Sequence, residues 1–244
     1  EAQGIPLEQA ALALRFSFSL GPDFFMEIAK LRAARALWAK VSQICGIKGR
    51  GLKAQIHAGS SAINKTKYGP YVNLLRVTTE TFAAVLGGAD SIHAAAFDCR
   101  YGSPSELSRR IARNTQSIIK EETSVLKVLD PAGGSWYLEQ LTKQLEEKAW
   151  ALLQEIESVG GMFKAIETGF AAKRISNSAA KRREALKKGK YALVGSTIYA
   201  QPEEQLPEIN TANIPAFIEK RIAQLDSAEA AETVLRNSLA QGEH

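Results

Sequence analysis

Short β-like segments alternate with long amphipathic segments up to about residue 135, and this alternation restricts the folds open to the chain. The segment "RFSFSL" (residues 15–20) alternates aromatic and polar residues, and the turn residues 21–23 end it. The amphipathic segment that follows predicts a helix over Phe24–Ile44. Strands and helices in this order predict βα units, a parallel sheet and an α/β fold class.

The strand–turn–helix unit then repeats. Further strands are predicted over residues 52–58, 91–97 and 124–130, and further helices over residues 70–86, 105–122 and 136–159. A closed eight-stranded barrel needs about 250 residues and eight such units. The pattern therefore fits the C-terminal half of a TIM (β/α)8 barrel, or a small doubly wound sheet, followed by helices. We predict a sheet domain over residues 1–150, a helical tail over 151–200, and a linker with two terminal helices, 216–225 and 228–239, within 201–244.

Charge and composition argue against a nucleic-acid partner and against a membrane span. The net charge is +5, and residues 173–190 carry eight Lys or Arg against one Glu. A solvated helix face explains this stretch, and the alternative, a polyanion-binding patch, lacks the aromatic residues of single-strand binders. Nucleic acid is therefore not predicted as a partner. The longest apolar runs fall well short of the roughly 20 residues that a membrane span needs.

Cysteine usage and the amino terminus predict a cytoplasmic location. Cys45 and Cys99 lie far apart in the sequence, with neither CxxC spacing nor a disulfide framework. Two free thiols are typical of a reducing compartment. The chain opens on "EAQGIP" without an initiator Met or a signal sequence, so we interpret it as a processed or excised piece.

Polar residues at the predicted carboxyl ends of the strands form the candidate site, because ligands of parallel α/β folds bind there. His57 and His93 occupy matching places in successive units. Structural core histidines remain an alternative. Cys99 beside His93 is a conceivable nucleophile pair, although no third group orients it. No short-spaced pair of ligands supports zinc, so no metal site is predicted.

Four strings resemble the methylmalonyl-CoA mutase family. They are "FFMEIAKLRAARALWAK" (24–40), "RRIARNTQ" (109–116), "LDPAGGSWYLEQLT" (129–142) and "EIESVGGMFKAIETG" (155–169). The resemblance implies a TIM barrel that binds an acyl-CoA along its axis, and a separate domain that presents adenosylcobalamin. It also implies a radical rearrangement of the carbon skeleton, as in an isomerase. The cobalamin motif DxHxxG is absent from this sequence.

Aligned with the family, "LRFS" (14–17) resembles its coenzyme A segment, which implies that Arg15 and Ser17 contact coenzyme A. In "IHAGSSA" (56–62), His57 is retained and Gly59 replaces the family's active-site glutamine. In "IHAAAFDCR" (92–100), His93 and Asp98 are retained. There Ala95 replaces an asparagine, and Cys99 replaces a glutamate on the cofactor side. The sequence thus names His57, His93 and Asp98 as candidates only, beside three degenerate positions.

With these replacements, the chain resembles the small subunit of a heterodimeric mutase, in which the residues of the active site are degenerate. The resemblance implies an assisting subunit that does not bind adenosylcobalamin by itself. Its expected partners are acyl-CoA, the missing half of the barrel, and a catalytic or cobalamin-binding subunit, in an oligomer. Two alternatives stay open: a competent mutase fragment for another acyl-CoA, and an assembly module without enzymatic function.

Overall fold

Three short parallel strands form a sheet, and helices pack against one of its faces. The computed structural model describes residues 4–201 and 213–240. The strands are β1 (Phe16–Leu20), β2 (Ile56–Ser60) and β3 (Ser91–His93), paired in the order β1-β2-β3. The helices are α1 (Leu7–Ala13), α2 (Phe24–Ile44), α3 (Val72–Leu86), α4 (Glu106–Glu121), α5 (Trp136–Ser158), α6 (Gly161–Glu167), α7 (Phe170–Lys187) and α8 (Ile214–Ala240). The predicted α/β class with a parallel sheet is confirmed.

Helix starts agree with the capping residues of the sequence. The Asp23 carboxylate accepts a hydrogen bond from the Met26 amide at 3.3 Å, so α2 begins where it was predicted. The Ser105 hydroxyl accepts one from the Ser108 amide at 3.2 Å and caps α4. Gly87 and Gly88 end α3, and Gly88 adopts a φ of 74° that disfavours other residues.

In the described part of the chain, the main hydrophobic cluster lies on one face of the sheet. Its fully buried members come from β1, α2, β2, α3 and the segment just before β2: Leu20, Leu31, Ala54, Ile56, Ala58 and Ala84. Phe16 and Phe18 of β1 pack against this cluster, whereas the alternate residues Ser17 and Ser19 are exposed. Because side chains alternate along a strand, the opposite face of the sheet is left polar and open.

The predicted fourth strand, residues 124–130, is wrong. Val125–Lys127 instead form a short 3-10 turn. Ser124 and Asp130 flank it with φ values of 56° and 49°, in the left-handed region that an extended strand does not use. Leu129 is 97% exposed, so the apolar pattern that favoured a strand does not enter the core.

Both remaining strands are shorter than predicted. Residues 49–52 form a 3-10 turn, so β2 begins only at Ile56. β3 ends at His93, because the chain turns over the next residues: the Cys99 amide donates to the Ala96 carbonyl and the Tyr101 amide to the Asp98 carbonyl. Helix α1 was not predicted.

The tail differs from the prediction in two places. Residues 191–199, a β-like stretch within the predicted helical tail, are not helical, and the described residues there contain one isolated β-bridge, Val194 with Ile198. The two terminal helices form the single helix α8, and the Ser227 hydroxyl donates to the Gln224 carbonyl without breaking it. The proline-rich linker predicted over residues 200–215 lies largely outside the described residues.

Candidate functional site

The open face of the sheet brings the predicted site residues of the strands together. Strand register aligns Ser17, His57 and Ser91 in one row and Ser19, Gly59 and His93 in the next. All six lie on the face opposite α2 and α3, against which no helix of the described residues packs, because residues two apart along a strand point the same way. The sequence predicted that His57, Gly59 and His93 lie together at the carboxyl ends of neighbouring strands. They do share one face of neighbouring strands, but His57 is the second of the five residues of β2 and lies nearer its amino end than predicted.

His57 is held in place by its neighbour in β3. Its Nδ1 atom and the Ser91 hydroxyl lie 2.8 Å apart, at hydrogen-bonding distance. The ring is half-buried, and its Nε2 lies 3.9 Å from where a Cβ at position 59 would stand. The fixed ring therefore presents its second nitrogen to the recess at Gly59.

Gly59 leaves a recess between the two histidines. A Cβ built there would lie 3.8 Å from the His93 Cβ and 3.9 Å from the His57 Nε2, which are ordinary contacts. Neither the backbone conformation nor the neighbours require glycine at this position. A side chain could occupy the recess, so the glycine widens the site rather than completing the fold.

The loop after β3 buries Asp98 and leaves Cys99 half-buried. Asp98 is 1% exposed, and its Oδ2 accepts a hydrogen bond from the Ser105 amide at 2.9 Å. Its Oδ1 has no hydrogen-bond partner among the described residues. Asp98 thus anchors the amino end of α4, a structural position that the sequence did not predict.

Cys99 is not poised as a nucleophile. Burial raises the pKa of its thiol, and the nearby positive charges of Lys65 and Arg100 do not reverse this. Nucleophilic cysteines need the opposite shift, toward the thiolate. In the described part of the chain, the structure also shows no hydrogen bond between Cys99 and His93. The pair considered from the sequence is not supported.

Arg15 lies at the amino end of β1, away from the recess at Gly59. Its Nη1 donates to the Leu12 and Leu14 carbonyls at 2.8 and 3.0 Å, so the guanidinium now caps the end of α1. The side chain is exposed. A ligand that contacts both Arg15 and Gly59 must therefore extend along the strands.

A buried polar network behind the open face was missed from the sequence. It centres on an ion pair between Lys65 and Glu80, with Asn64 and Asn73 beside it. One feature of the sequence could have predicted this network. Asn73 and Glu80 share the apolar stripe of α3 with Val77 and Ala84, at helical spacing, and polar residues on such a stripe need buried partners.

A cavity of about 880 Å³ lies on the helical side, between α2, α3, α4, α5 and the segment 124–131. Arg32 in its wall pairs with Asp130 and Glu139, and Arg35 pairs with Asp90. Because these charges compensate one another and the cavity lies on the helical side of the sheet, we do not assign the site to this cavity.

The described residues offer neither a cluster of metal ligands nor a membrane-spanning helix. Within residues 4–201 and 213–240, no group of three or more His, Cys, Asp or Glu side chains could hold a metal ion. No described helix has the length and hydropathy to cross a bilayer.

Comparison with known proteins identifies the class of this α/β domain. The family model for methylmalonyl-CoA mutase matches residues 1–241, so the chain belongs to the methylmalonyl-CoA mutase family. Among its relatives is the methylmalonyl-CoA mutase of Cereibacter sphaeroides, 42% identical over 230 residues, which cover 94% of this chain and 32% of the relative.

Relatives include proteins named as either subunit of the enzyme. The methylmalonyl-CoA mutase small subunit of Streptomyces virginiae is 42% identical over 79% of this chain and 31% of its own length. The large subunit from Porphyromonas gingivalis is 40% identical over 91% and 31%. The chain thus spans about a third of the length of the curated relatives it matches.

Proposed function

We propose that this chain is the C-terminal half of a mutase barrel, and that its open sheet face binds an acyl-CoA as part of an assisting subunit. The observation that carries the proposal is the recess at Gly59, which lies between His57 and His93 on the open face. Polar side chains that can bind a ligand lie beside the recess. The glutamine, asparagine and glutamate that the family resemblance implies for the chemistry are replaced by Gly59, Ala95 and Cys99.

Sheet order and helix placement favour half of a barrel over a doubly wound sheet. The strands follow one another in sequence order, and α2 and α3 cover one face only. A doubly wound sheet has helices on both faces. A barrel has them outside only, and its inward face lines the axis. The edges of β1 and β3 are then expected to pair with strands of the missing barrel half.

Acyl-CoA binding is supported by the groups along the open face. Ser17, His57, Ser91 and His93 offer donors and acceptors for a thioester and its amide-containing arm. Arg15 at the amino end of β1 is suited to a phosphate, because a guanidinium binds phosphate through paired hydrogen bonds. This division places the phosphates and the acyl group at opposite ends of the strands.

The assisting role rests on the positions that face the cofactor in the resemblance. Mutases of this family use adenosylcobalamin. Here position 59 carries no side chain, position 95 carries only a methyl group, and position 99 carries a thiol whose pKa is raised by burial. These residues do not fit the cofactor. We therefore propose that another subunit binds it, as the relatives named large and small subunit suggest.

Calorimetry tests this function. We expect the chain, together with the missing barrel half, to bind methylmalonyl-CoA, and Arg15→Ala to weaken binding about tenfold through loss of a phosphate contact. An unchanged affinity in Arg15→Ala, or no binding at all, contradicts the proposal. Turnover of methylmalonyl-CoA with adenosylcobalamin and without a partner subunit would instead favour the competent-fragment alternative.

A further inference from the structure

A fully buried ion pair lies behind the carboxyl end of β2. The Lys65 ammonium contacts Glu80 Oε1 at 2.7 Å and Oε2 at 2.9 Å, and the side chains are 0% and 1% exposed. Nζ also donates to Asn64 Oδ1 at 2.8 Å and to the Ser61 carbonyl at 3.1 Å. Asn64 in turn donates to Glu80 Oε1 at 2.6 Å. Every proton of the ammonium therefore has an acceptor.

Stability alone does not explain such a pair. Removing two charges from water costs several kcal/mol per ion, and well-packed apolar residues of similar volume often serve equally well or better. The cost is visible at Lys65, whose pKa is lowered by burial although Glu80 opposes the shift. Apolar residues could not make the hydrogen bonds that Lys65 donates to the Ser61 carbonyl and to Asn64.

Those contacts fix the β2 loop, which we define as residues 61–71. Lys65 holds the Ser61 carbonyl, and the Ser61 amide donates to the Leu20 carbonyl of β1 at 2.9 Å. The start of the loop is thereby joined to the ends of both β1 and β2.

Asn73 and Tyr101 connect the β2 loop to the β3 loop, residues 94–105. Asn73, which is fully buried, accepts from the Thr66 amide at 3.2 Å and donates to the Thr66 and Phe97 carbonyls, both at 2.9 Å. The Tyr101 hydroxyl donates to the Lys67 carbonyl at 2.7 Å. The network thus joins the two loops next to the recess at Gly59. The β3 loop is the one that carries Ala95 and Cys99.

We propose that Lys65, Glu80 and Asn73 are positioning residues, which hold the β2 and β3 loops in one arrangement and so preform the rim of the open face for its ligand. This inference rests on the proposed acyl-CoA site. It assigns a binding role to residues that touch no ligand themselves and act through the loop backbone.

The informative variant replaces both charges. Lys65→Met alone leaves the Glu80 carboxylate buried without its cation and is expected to disrupt the fold. The double variant Lys65→Met/Glu80→Met keeps volume and removes both charges, so it is expected to fold. Its melting temperature should fall by up to about 10 °C, because the buried Asn64 side chain loses both of its partners. Lys164→Met/Glu167→Met, which removes an exposed pair on α6, is the matched control.

Hydrogen exchange measures the order of the two loops, and calorimetry measures the affinity for acyl-CoA. In the double variant we expect amide exchange of the β2 and β3 loops to accelerate about tenfold. Affinity for methylmalonyl-CoA is expected to fall about tenfold, because an ordered rim no longer exists before binding. The control variant should change neither quantity.

Three results overturn the inference: unchanged exchange in both loops, faster exchange with unchanged affinity, or a double variant that does not fold, which would make the pair a requirement of the fold. If the wild type binds no acyl-CoA, the proposed function fails, while the exchange measurement still decides whether the network fixes the loops.

Discussion

The two faces of the sheet have opposite compositions although they share the same backbone. In β2, Ile56 and Ala58 are buried against α2 and α3, while the alternate residues His57 and Gly59 line the open face. The first face is filled by side chains, and the second keeps polar groups around a recess. The comparison shows that the buried contacts of β2 come from one face, while the other face carries polar side chains beside a recess, which is where we propose that the ligand binds.

The largest effect should come from the covered face. We expect Ile56→Ala to lower the free energy of unfolding by about 2–5 kcal/mol, because it leaves a cavity among fully buried neighbours. His57→Ala, one residue further along, loses one hydrogen bond to Ser91 and should cost about 1 kcal/mol or less. Urea denaturation measures both. Equal losses would contradict the division between the faces.

A smaller, pH-dependent effect should come from Asp90, just before β3. Its carboxylate accepts from the Ile56 amide at 2.9 Å and pairs with Arg35 and Lys53 at 3.1 and 3.3 Å. Burial alone would raise the pKa of Asp90, but these three groups outweigh it and hold the pKa below its usual 3.8. A carboxyl group with a lowered pKa stabilises the fold above its unfolded pKa, and this stability disappears as the pH falls through the folded value.

We therefore expect Asp90→Asn to lower the free energy of unfolding by about 1 kcal/mol at pH 7, since the carboxylate is partly exposed. The difference from wild type should shrink below about pH 4 as the wild-type carboxyl group becomes protonated. Denaturation at both pH values measures it. A difference that grows on acidification would show that the sign is wrong.

The smallest effect on stability should come from the recess. Gly59→Gln adds a side chain whose Cβ makes only ordinary contacts, so the free energy of unfolding should stay within about 0.5 kcal/mol of wild type. Acyl-CoA affinity should change, because the new side chain enters the proposed site. A loss of more than about 2 kcal/mol would show that the fold itself requires glycine there.

Strand and helix periodicity predicted the first unit well, for a local reason. The alternation in residues 15–20 and the capping Asp23 are readable from neighbouring residues alone, and β1 and α2 lie where they were predicted. The segment 124–130 has a similar apolar pattern, but its left-handed Ser124 and Asp130 make it a turn. A left-handed backbone conformation at single residues does not change the hydrophobic periodicity of the sequence, so the pattern could not predict it.

The candidate site was predicted in the same uneven way. His57, Gly59 and His93 could be placed together because parallel strands bring their ends to one edge. The ion pair of Lys65 and Glu80 could not, since its partners come from a loop and a helix whose contact depends on tertiary packing. Asp98 was predicted only as a candidate site residue, and its hydrogen bond from the Ser105 amide could not be read from the sequence.

The most direct test of the open face as the binding surface is the NMR signal of its histidine rings during titration with methylmalonyl-CoA, in the chain combined with the missing barrel half. We expect the ring resonances of His57 and His93 to shift together and to saturate at one dissociation constant, while the amides of Ala29 and Ala84 in the covered core stay unchanged. Saturating ligand that leaves both rings unchanged would contradict the central claim.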